Sequence, residues 1–325
     1  MSTIPDVFGA YFWAGYDVPN ALVPGLKILQ QAGFQTTARI RLTPDVRPKS
    51  STDRGEYRFD EEWEREVPST APFLPAAVRS TQYQRAFSLP GLRTFVFTAY
   101  DSASTGNLFD SDWLDMNAKL VRDEYRDMTV ALYETQNGTG KQFIVCNWET
   151  DNNIYFPEVP PYASASKRLK ALRRWFQLRQ EGIRQGREIA LQNGWGGVEV
   201  NDAIEFNNFY YQSENQNCFP GEFIGDTLNN IIKDVNPDYA SFSTWESTGR
   251  CRLYDDLMNI KRFLQTETNG HTQLIVGELG VTAHALPSPV HESVHTKAWR
   301  YIKLAHAAVR ADIPGRFQVP SATGK

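Results

Sequence analysis

An apolar run turns into a polar one within the ten residues FIVCNWETDN, residues 143–152. Two of the four apolar residues at its start are β-branched, which predicts a strand buried on both faces. Polar side chains, among them Glu149, gather directly after that strand. In a parallel β/α sheet the loops that follow the strands converge on one face, and functional groups collect there. The stretch therefore predicts a strand that delivers a carboxylate to such a face.

A second stretch has the same pattern. The residues LIVGELG, 274–280, again read as an apolar strand that ends in one carboxylate, Glu278. Two strand-end carboxylates on one face form the acid and nucleophile pair that glycoside hydrolysis needs. Because strand side chains alternate in direction, we expect Glu149 and Asn147 to point into the barrel and Trp148 to point away. By the same alternation, Gly277 is expected to face the surrounding helices.

Strands and helices alternate along the whole chain, which predicts an α/β protein with the (β/α)8 barrel (TIM barrel) fold. A doubly wound open sheet is the alternative, but the first turn, residues 13–17, lacks the Gly-rich G-x-G-x-x-G pattern. The last strand, 315–320, is short, so we expect an atypical or shortened eighth β/α unit. We expect residues 1–325 to form a single barrel domain with a long excursion after the second strand, at about 44–75. The predicted strands are 7–13, 34–42, 92–100, 143–146, 198–206, 239–245, 272–279 and 315–320, and the predicted helices are 20–31, 114–133, 167–192, 222–233, 253–265 and 292–311.

The composition is that of an ordinary globular protein. The chain has 325 residues, of which 41% are hydrophobic and 22% charged, with a net charge of −4. This balance argues against disorder and against a nucleic-acid partner that binds through a basic surface. No run of about 18 apolar residues is present, so no membrane span is predicted. The pattern predicts no cofactor and no metal, and leaves the oligomeric state open.

The three cysteines bear on the compartment. Cys146 lies inside a predicted strand and is expected to be a buried thiol. Cys218 and Cys251 follow the fifth and sixth strands, which are neighbours in a barrel, so we expect them on adjacent loops. A disulfide between them would indicate an oxidising compartment, whereas the chain start has no visible signal peptide. Localisation therefore stays open between the cytoplasm and secretion.

Three short stretches resemble the clan A glycoside hydrolases, the barrel group that includes cellulase-like and mannanase-like enzymes. Residues 276–281, VGELGV, are similar to the nucleophile strand of cellulase-like members, and residues 33–40, GFQTTARI, resemble their second strand. The third is residues 143–152. The likeness implies a retaining glycoside hydrolase in which Glu149 is the acid/base and Glu278 the nucleophile. It also implies that an arginine of the second strand, Arg39 or its close rival Arg41, holds the nucleophile.

The sequence departs from the family pattern at two strand ends. The family places Asn directly before the acid Glu, whereas here Trp148 stands between Asn147 and Glu149. Trp245 occupies the sixth-strand end, where the family has a Tyr. Sugars present apolar faces, so strand-end aromatic residues are candidate stacking platforms on a carbohydrate substrate, with core packing as the competing role of each. The candidates are Trp13, Tyr100, Trp148, Trp245, Tyr155 and Tyr210. Arg39, Arg41 and Asn147 are the polar residues expected to contact the substrate.

Other readings compete with the glycosidase. Residues 291–295, HESVH, match the helical zinc motif H-E-x-x-H through His291, Glu292 and His295, but no third ligand follows at the expected spacing. The basic residues of 167–187 are spread around a helix that also has a core face, which favours a solvated outer face. A carbohydrate-binding barrel without catalysis is the remaining alternative.

Overall fold

The computed structural model describes residues 8–12, 19–46, 57, 59–155, 164–207, 226–245, 247, 252–279, 307, 310–311 and 317–320. Within these residues, eight strands form one sheet in which every pairing is parallel. The strands are β1 Phe8–Phe12, β2 Thr37–Leu42, β3 Thr94–Ala99, β4 Lys141–Cys146, β5 Val198–Phe206, β6 Tyr239–Ser243, β7 Gln273–Glu278 and β8 Phe317–Pro320.

The sheet curls into a barrel. Its strands follow chain order from β1 to β7, and β8 pairs with β1 while also lying beside β7. The inner face of the curled sheet encloses a small core, in which side chains from β3, β4, β5 and β7 pack together. Its members are Val96, Ile144, Cys146, Ala203 and Ile275. The predicted (β/α)8 fold is confirmed, and the eighth strand is short, as expected.

Helices cover the outer face of the barrel. The residues that alternate with the interior ones, such as Ile40 on β2 and Phe97 on β3, belong to a much larger core beneath the helices. The helices are α1 Leu22–Gln31, α2 Glu61–Glu66, α3 Phe73–Arg79, α4 Thr81–Phe87, α5 Ser111–Met116, α6 Ala118–Gln136, α7 Thr150–Tyr155, α8 Ala165–Gln192, α9 Lys233–Val235, which continues the π-helical turn Leu228–Ile232, and α10 Leu253–Glu267.

The predicted elements agree with the structure at most of their centres. β5 has the predicted limits, and α1 ends before Gly33, whose positive φ of 101° suits a glycine after a helix. The helices predicted over 222–233 and 292–311 lie partly outside the described residues. No helix in the described ranges is long and apolar enough to cross a membrane.

The excursion after β2 is more ordered than a loop. Within the residues described it contains α2, and it buries an aromatic cluster, Tyr57, Phe59 and Trp63, against the barrel. The rings of Phe59 and Trp63 stack with centroids 4.1 Å apart. The Tyr57 hydroxyl donates to the Phe12 carbonyl and accepts from the Arg41 backbone N–H, at 3.1 and 2.7 Å. The excursion thereby ties β1 to β2 near their carboxyl ends.

We expect this cluster to contribute strongly to stability. Trp63 is 1% exposed, so Trp63→Ala removes a large buried ring and should lower the free energy of unfolding by about 3–5 kcal/mol. Urea denaturation measures the change. The control is Leu191→Ala, because Leu191 is 73% exposed and its loss should change stability by no more than about 0.5 kcal/mol. A loss at Trp63 as small as that at Leu191 would contradict the packed excursion.

Candidate active site

A buried arginine occupies the centre of the barrel at the carboxyl ends of the strands. Arg39 of β2 is fully buried, and its guanidinium carries five N–H donors. Each has an acceptor: Nε donates to Thr98 Oγ1 at 2.9 Å, and one terminal nitrogen donates to the Asn147 carbonyl at 2.9 Å. The remaining donors go to two carboxylates, Glu205 and Glu278. The ring of Tyr11 covers the guanidinium, 4.7 Å from centroid to Cζ.

Glu205 of β5 is a site residue that the sequence analysis missed. It is fully buried and receives Arg39 as a fork, at 2.7 Å to Oε2 and 2.9 Å to Oε1. Burial raises the pKa of Glu205 to about 7, against the opposing pull of Arg39. The signal in the sequence was the alternation of β5, in which an acidic residue falls on the same inward face as Ala203.

Glu278 ends β7 and lies next to the same arginine. Its Oε1 accepts a hydrogen bond from Arg39 Nη1 at 3.3 Å, and its Oε2 accepts one from the indole N–H of Trp245 at 3.0 Å. Arg39 therefore contacts Glu278, whereas Arg41 pairs with Asp45. Glu278 thus has one cationic neighbour, Arg39, and one neutral donor, Trp245.

The expected orientation of Gly277 was wrong. A Cβ at Gly277 would overlap the Ser241 hydroxyl and the Glu205 carboxylate, so this residue faces the barrel interior. The pairing of β6 with β7 shifts at this point: Phe242 pairs with Val276, but Ser243 pairs with Glu278. Such a bulge re-aims the residues of a strand, which explains how Gly277 and Glu278 both serve the site.

Glu149 lies in the turn between β4 and α7. Its side chain accepts from Ser243 Oγ at 2.6 Å, from Asn207 Nδ2 at 3.3 Å and from Asn152 Nδ2. Ser243, the partner of Glu149, is also the residue paired in register with Glu278. The backbone N–H of Glu149 donates to Glu205 Oε1 at 3.4 Å. These links bring Glu149, Glu205 and Glu278 to one end of the barrel.

The alternation expected after β4 does not hold, because the strand ends at Cys146. Asn147 is buried between β4 and β5, where its amide accepts from the Glu205 N–H at 3.0 Å and donates to the Glu205 carbonyl at 3.3 Å. We therefore assign Asn147 to holding the two strands together rather than to the predicted substrate contact. Trp148, expected to point away from the barrel mouth, lines a cavity there instead. Cys146 is a buried free thiol as expected, and burial raises its pKa to about 12.

A cavity of about 500 Å³ opens at the carboxyl ends of the first four strands, and Trp148, the residue before Glu149, is part of its lining. Three predicted substrate-binding residues, Arg41, Tyr100 and Trp148, line it. The Tyr100 hydroxyl accepts from the Trp148 N–H at 3.2 Å and so fixes the turn that carries the indole. Burial raises the pKa of Tyr100 to about 12, so its phenol stays protonated at neutral pH. The wall combines aromatic faces with hydroxyl, carboxylate and amide groups, including those of Asp101, Ser104, Thr105, Phe109 and Asn153.

A second cavity, of about 700 Å³, lies at the opposite, amino-terminal end of the barrel. Thr37, Thr94 and Gln142 line it with Arg93 and Lys141, and Glu199 is its one carboxylate among the residues described. The described lining of this cavity holds no second carboxylate, whereas Glu149, Glu205 and Glu278 lie at the carboxyl end, where barrel enzymes place their chemistry.

Several predicted features lie outside the described residues: Trp13, Tyr210, Cys218, Cys251, His291, Glu292 and His295. The side chain of Tyr155 is likewise not described. In the parts of the chain that are described, no cluster of His, Cys, Asp and Glu fits a metal ion.

Solved structures resemble this chain along nearly its whole length. A family 1 β-glucosidase from Thermotoga maritima matches with a TM-score of 0.54 and 12% identity, over 98% of this chain and 88% of the other. A broad-specificity GH5-4 endoglucanase from an uncultured bacterium matches with a TM-score of 0.53 and 11% identity, over 97% and 86%. The GH53 catalytic domain of Ignisphaera aggregans matches with a TM-score of 0.52 and 14% identity, over 99% and 86%.

Because the identities are low, these likenesses establish the fold alone. The barrel expected from the resemblance to clan A glycoside hydrolases is therefore confirmed. No protein-family model matches the sequence, and no curated protein matches it.

The contact between Gly277 and Glu205 leads to a testable expectation. Gly277→Ala inserts a methyl group where the Glu205 carboxylate and the Ser241 hydroxyl lie, and overpacking of this kind costs about 1–3 kcal/mol. The matched control is Gly196→Ala, because a Cβ there meets open space. Chemical denaturation of both variants gives the comparison, and equal stability of the two would contradict the close approach at Gly277.

Proposed function

We propose that the protein is a glycoside hydrolase that cleaves O-glycosidic bonds of an oligo- or polysaccharide with retention of configuration. One observation carries the proposal: Glu149 follows β4 and Glu278 ends β7 at the same end of the barrel, and Ser243, which donates to Glu149, pairs in register with Glu278. Retaining hydrolysis uses two carboxyl groups about 5–5.5 Å apart, one to donate a proton and one to attack. The fold shared with the β-glucosidase and the endoglucanase supports the same reaction class.

The two carboxyls have different partners. Glu278 contacts the Arg39 cation and the Trp245 indole N–H, which hold its carboxylate in place. The carboxyl of Glu149 accepts hydrogen bonds from the Ser243 hydroxyl and from the amides of Asn152 and Asn207. Glu149 follows the fourth strand, and we give it the acid and base role that this position has in the family that the sequence resembles.

The reaction then runs in two displacements. Glu278 attacks the anomeric carbon while Glu149 protonates the departing glycosidic oxygen, and a glycosyl ester of Glu278 forms. Glu149, now a carboxylate, takes a proton from water, and that water displaces Glu278 from the sugar. Glu149 serves as the acid in the first step and as the base in the second, so it regains the proton that it gave up, and Glu278 is released as a carboxylate.

The cavity lined by Trp148 provides the substrate-binding surface in this proposal. Trp148 and Tyr100 offer aromatic faces for the apolar face of a sugar ring, and Arg41 with its neighbours offers hydrogen bonds to hydroxyls. Trp245 contacts Glu278 and lies beside the bond to be cleaved.

Alanine substitutions at the two carboxylates should reduce activity in different ways. Glu278→Ala removes the group that forms the covalent intermediate, so activity should be lost on all substrates. Glu149→Ala removes proton donation, so an activated aryl glycoside should react in its first step far better than a natural glycoside. Sodium azide should then restore turnover of Glu149→Ala and yield a glycosyl azide of retained configuration, which NMR of the product identifies.

Glu199→Ala is the control, because Glu199 is exposed at the opposite end of the barrel and its loss should leave activity unchanged. Equal losses of Glu149→Ala on every substrate without azide rescue would remove Glu149 from this role. Binding of oligosaccharides by a wild-type protein that hydrolyses none of a broad glycoside panel would instead favour the non-catalytic barrel.

Removal of the cavity indole should weaken substrate binding more than chemistry. We expect Trp148→Ala to raise KM roughly tenfold, the size of one lost aromatic contact, with a smaller change in kcat. Trp195→Ala is the matched control, since Trp195 is also half-buried but lies beyond α8, at the amino end of the barrel. Steady-state kinetics on the best substrate of the panel measures both constants, and an unchanged KM for Trp148→Ala would exclude this stacking role.

A further inference from the structure

Glu205 has no part in the two-carboxylate mechanism, yet it is the most buried acid of the site. Its Oε2 and the Oε1 of Glu278 accept from the same nitrogen, Arg39 Nη1, at 2.7 and 3.3 Å. The shorter of the two contacts belongs to Glu205, and Arg39 Nη2, which also donates to the Asn147 carbonyl, makes a second hydrogen bond to Glu205 at 2.9 Å. Arg39 is therefore divided between a catalytic and a non-catalytic carboxylate.

The two carboxylates differ in what happens to their charge. In a retaining mechanism Glu278 loses its negative charge when it becomes the glycosyl ester. A fully buried guanidinium left without a counter-ion is costly, and the loss of one partner of a buried pair destabilises a protein strongly. Glu205 remains beside Arg39 at that stage, and above about pH 7, where it is ionised, it supplies the missing negative charge.

We propose that Glu205 is a positioning residue that shares Arg39 with Glu278 and thereby sets the pH range in which the catalytic pair works. The inference rests on the proposed glycosidase function. Glu205 touches neither substrate nor reacting atoms in this scheme, and it acts through Arg39 and through its contact with the Glu149 backbone.

The groups that face Glu205 come from every neighbouring strand. They are Arg39 of β2, Tyr100 after β3, Cys146 of β4, the Glu149 backbone N–H, the Ser241 hydroxyl of β6 at 3.2 Å, and Glu278 of β7. Arg39 is the one cation of this group, and Glu278 is its other carboxylate side chain. Burial together with the charge of Glu278 raises the pKa of Glu205 to about 7, so Glu205 changes charge within the working range of many enzymes.

The sign of the effect follows from this pKa. Below about pH 7 Glu205 is protonated, and the charge of Arg39 is available to Glu278. Above about pH 7 Glu205 is ionised, and its negative charge makes ionisation of the nearby acid Glu149 less favourable. The acid therefore keeps its proton to a higher pH than it would without Glu205.

The decisive variant is Glu205→Gln, which keeps the shape but never carries the charge. We expect the alkaline limb of kcat/KM, which reports the acid in the free enzyme, to move to lower pH by about one unit. The acid limb should stay in place, because Glu205 is already neutral there. A smaller shift in the same direction is expected for Ser241→Ala, which removes a donor to ionised Glu205.

Asp202→Asn is the matched control. Asp202 is also a buried acid of β5, and it pairs with Arg179 of α8 at 2.7 Å on the outer side of the strand. Burial raises its pKa to about 6, so the control removes a buried ion pair of the same kind. We expect reduced stability and an unmoved pH profile. An alkaline limb that stays in place in Glu205→Gln, or moves equally in Asp202→Asn, would overturn the inference.

A second measurement decides the question without any turnover. Glu205→Gln, Glu278→Gln and the double variant form a thermodynamic cycle, measured by denaturation. If the two carboxylates share Arg39, each single variant leaves it one counter-ion and the double variant leaves none. The double variant should then lose more unfolding free energy than the two singles together, and additive losses would overturn the inference.

The two proposals fail separately. Inactivity of the wild type on all glycosides refutes the proposed function, and the cycle still reports whether Arg39 is shared. Activity combined with an additive cycle refutes the role of Glu205 alone.

Discussion

The whole candidate site depends on one buried guanidinium. Arg39 carries a charge that the barrel interior disfavours, and it is retained because every N–H has an acceptor and two carboxylates lie against it. The acceptors come from β3, β5, β7 and the turn after β4. The barrel geometry is thus the condition for the site, since no local segment brings these groups together. The site in turn constrains the barrel, because each of these strands must end at the right height.

The fold could be predicted from short patterns because each β/α unit repeats the same local chemistry. Apolar strands such as 143–146 and amphipathic helices such as α8 carry their own periodicity, and their limits in the structure differ little from those expected. The excursion after β2 was harder to predict. Its helix α2 is only six residues long and consists largely of charged residues. Its order comes from contacts of Tyr57 with β1 and β2 and of Trp63 with Tyr83 of α4.

The candidate site could be predicted only where one strand end contains the signal. Glu149 and Glu278 stand in such positions, and Arg39 was chosen by resemblance. Glu205 gave no comparable signal, because an acid in an alternating strand normally faces solvent; its significance comes from a partner 166 positions earlier in the chain. The orientations of Trp148 and Gly277 were also mispredicted. Strict alternation fails where β4 ends and where the pairing of β6 with β7 shifts.

The close approach of Gly277 to Glu205 has a consequence for how such a sequence can diverge. A side chain at position 277 needs space that the carboxylate at position 205 occupies, so residue 277 can grow only if residue 205 becomes shorter. Homologues that keep glycine on the seventh strand are free to keep a long acid on the fifth, whereas those with alanine or serine there require a shorter residue opposite. Co-variation of these two positions would therefore separate the lineage that carries the third carboxylate from barrels that never acquired it.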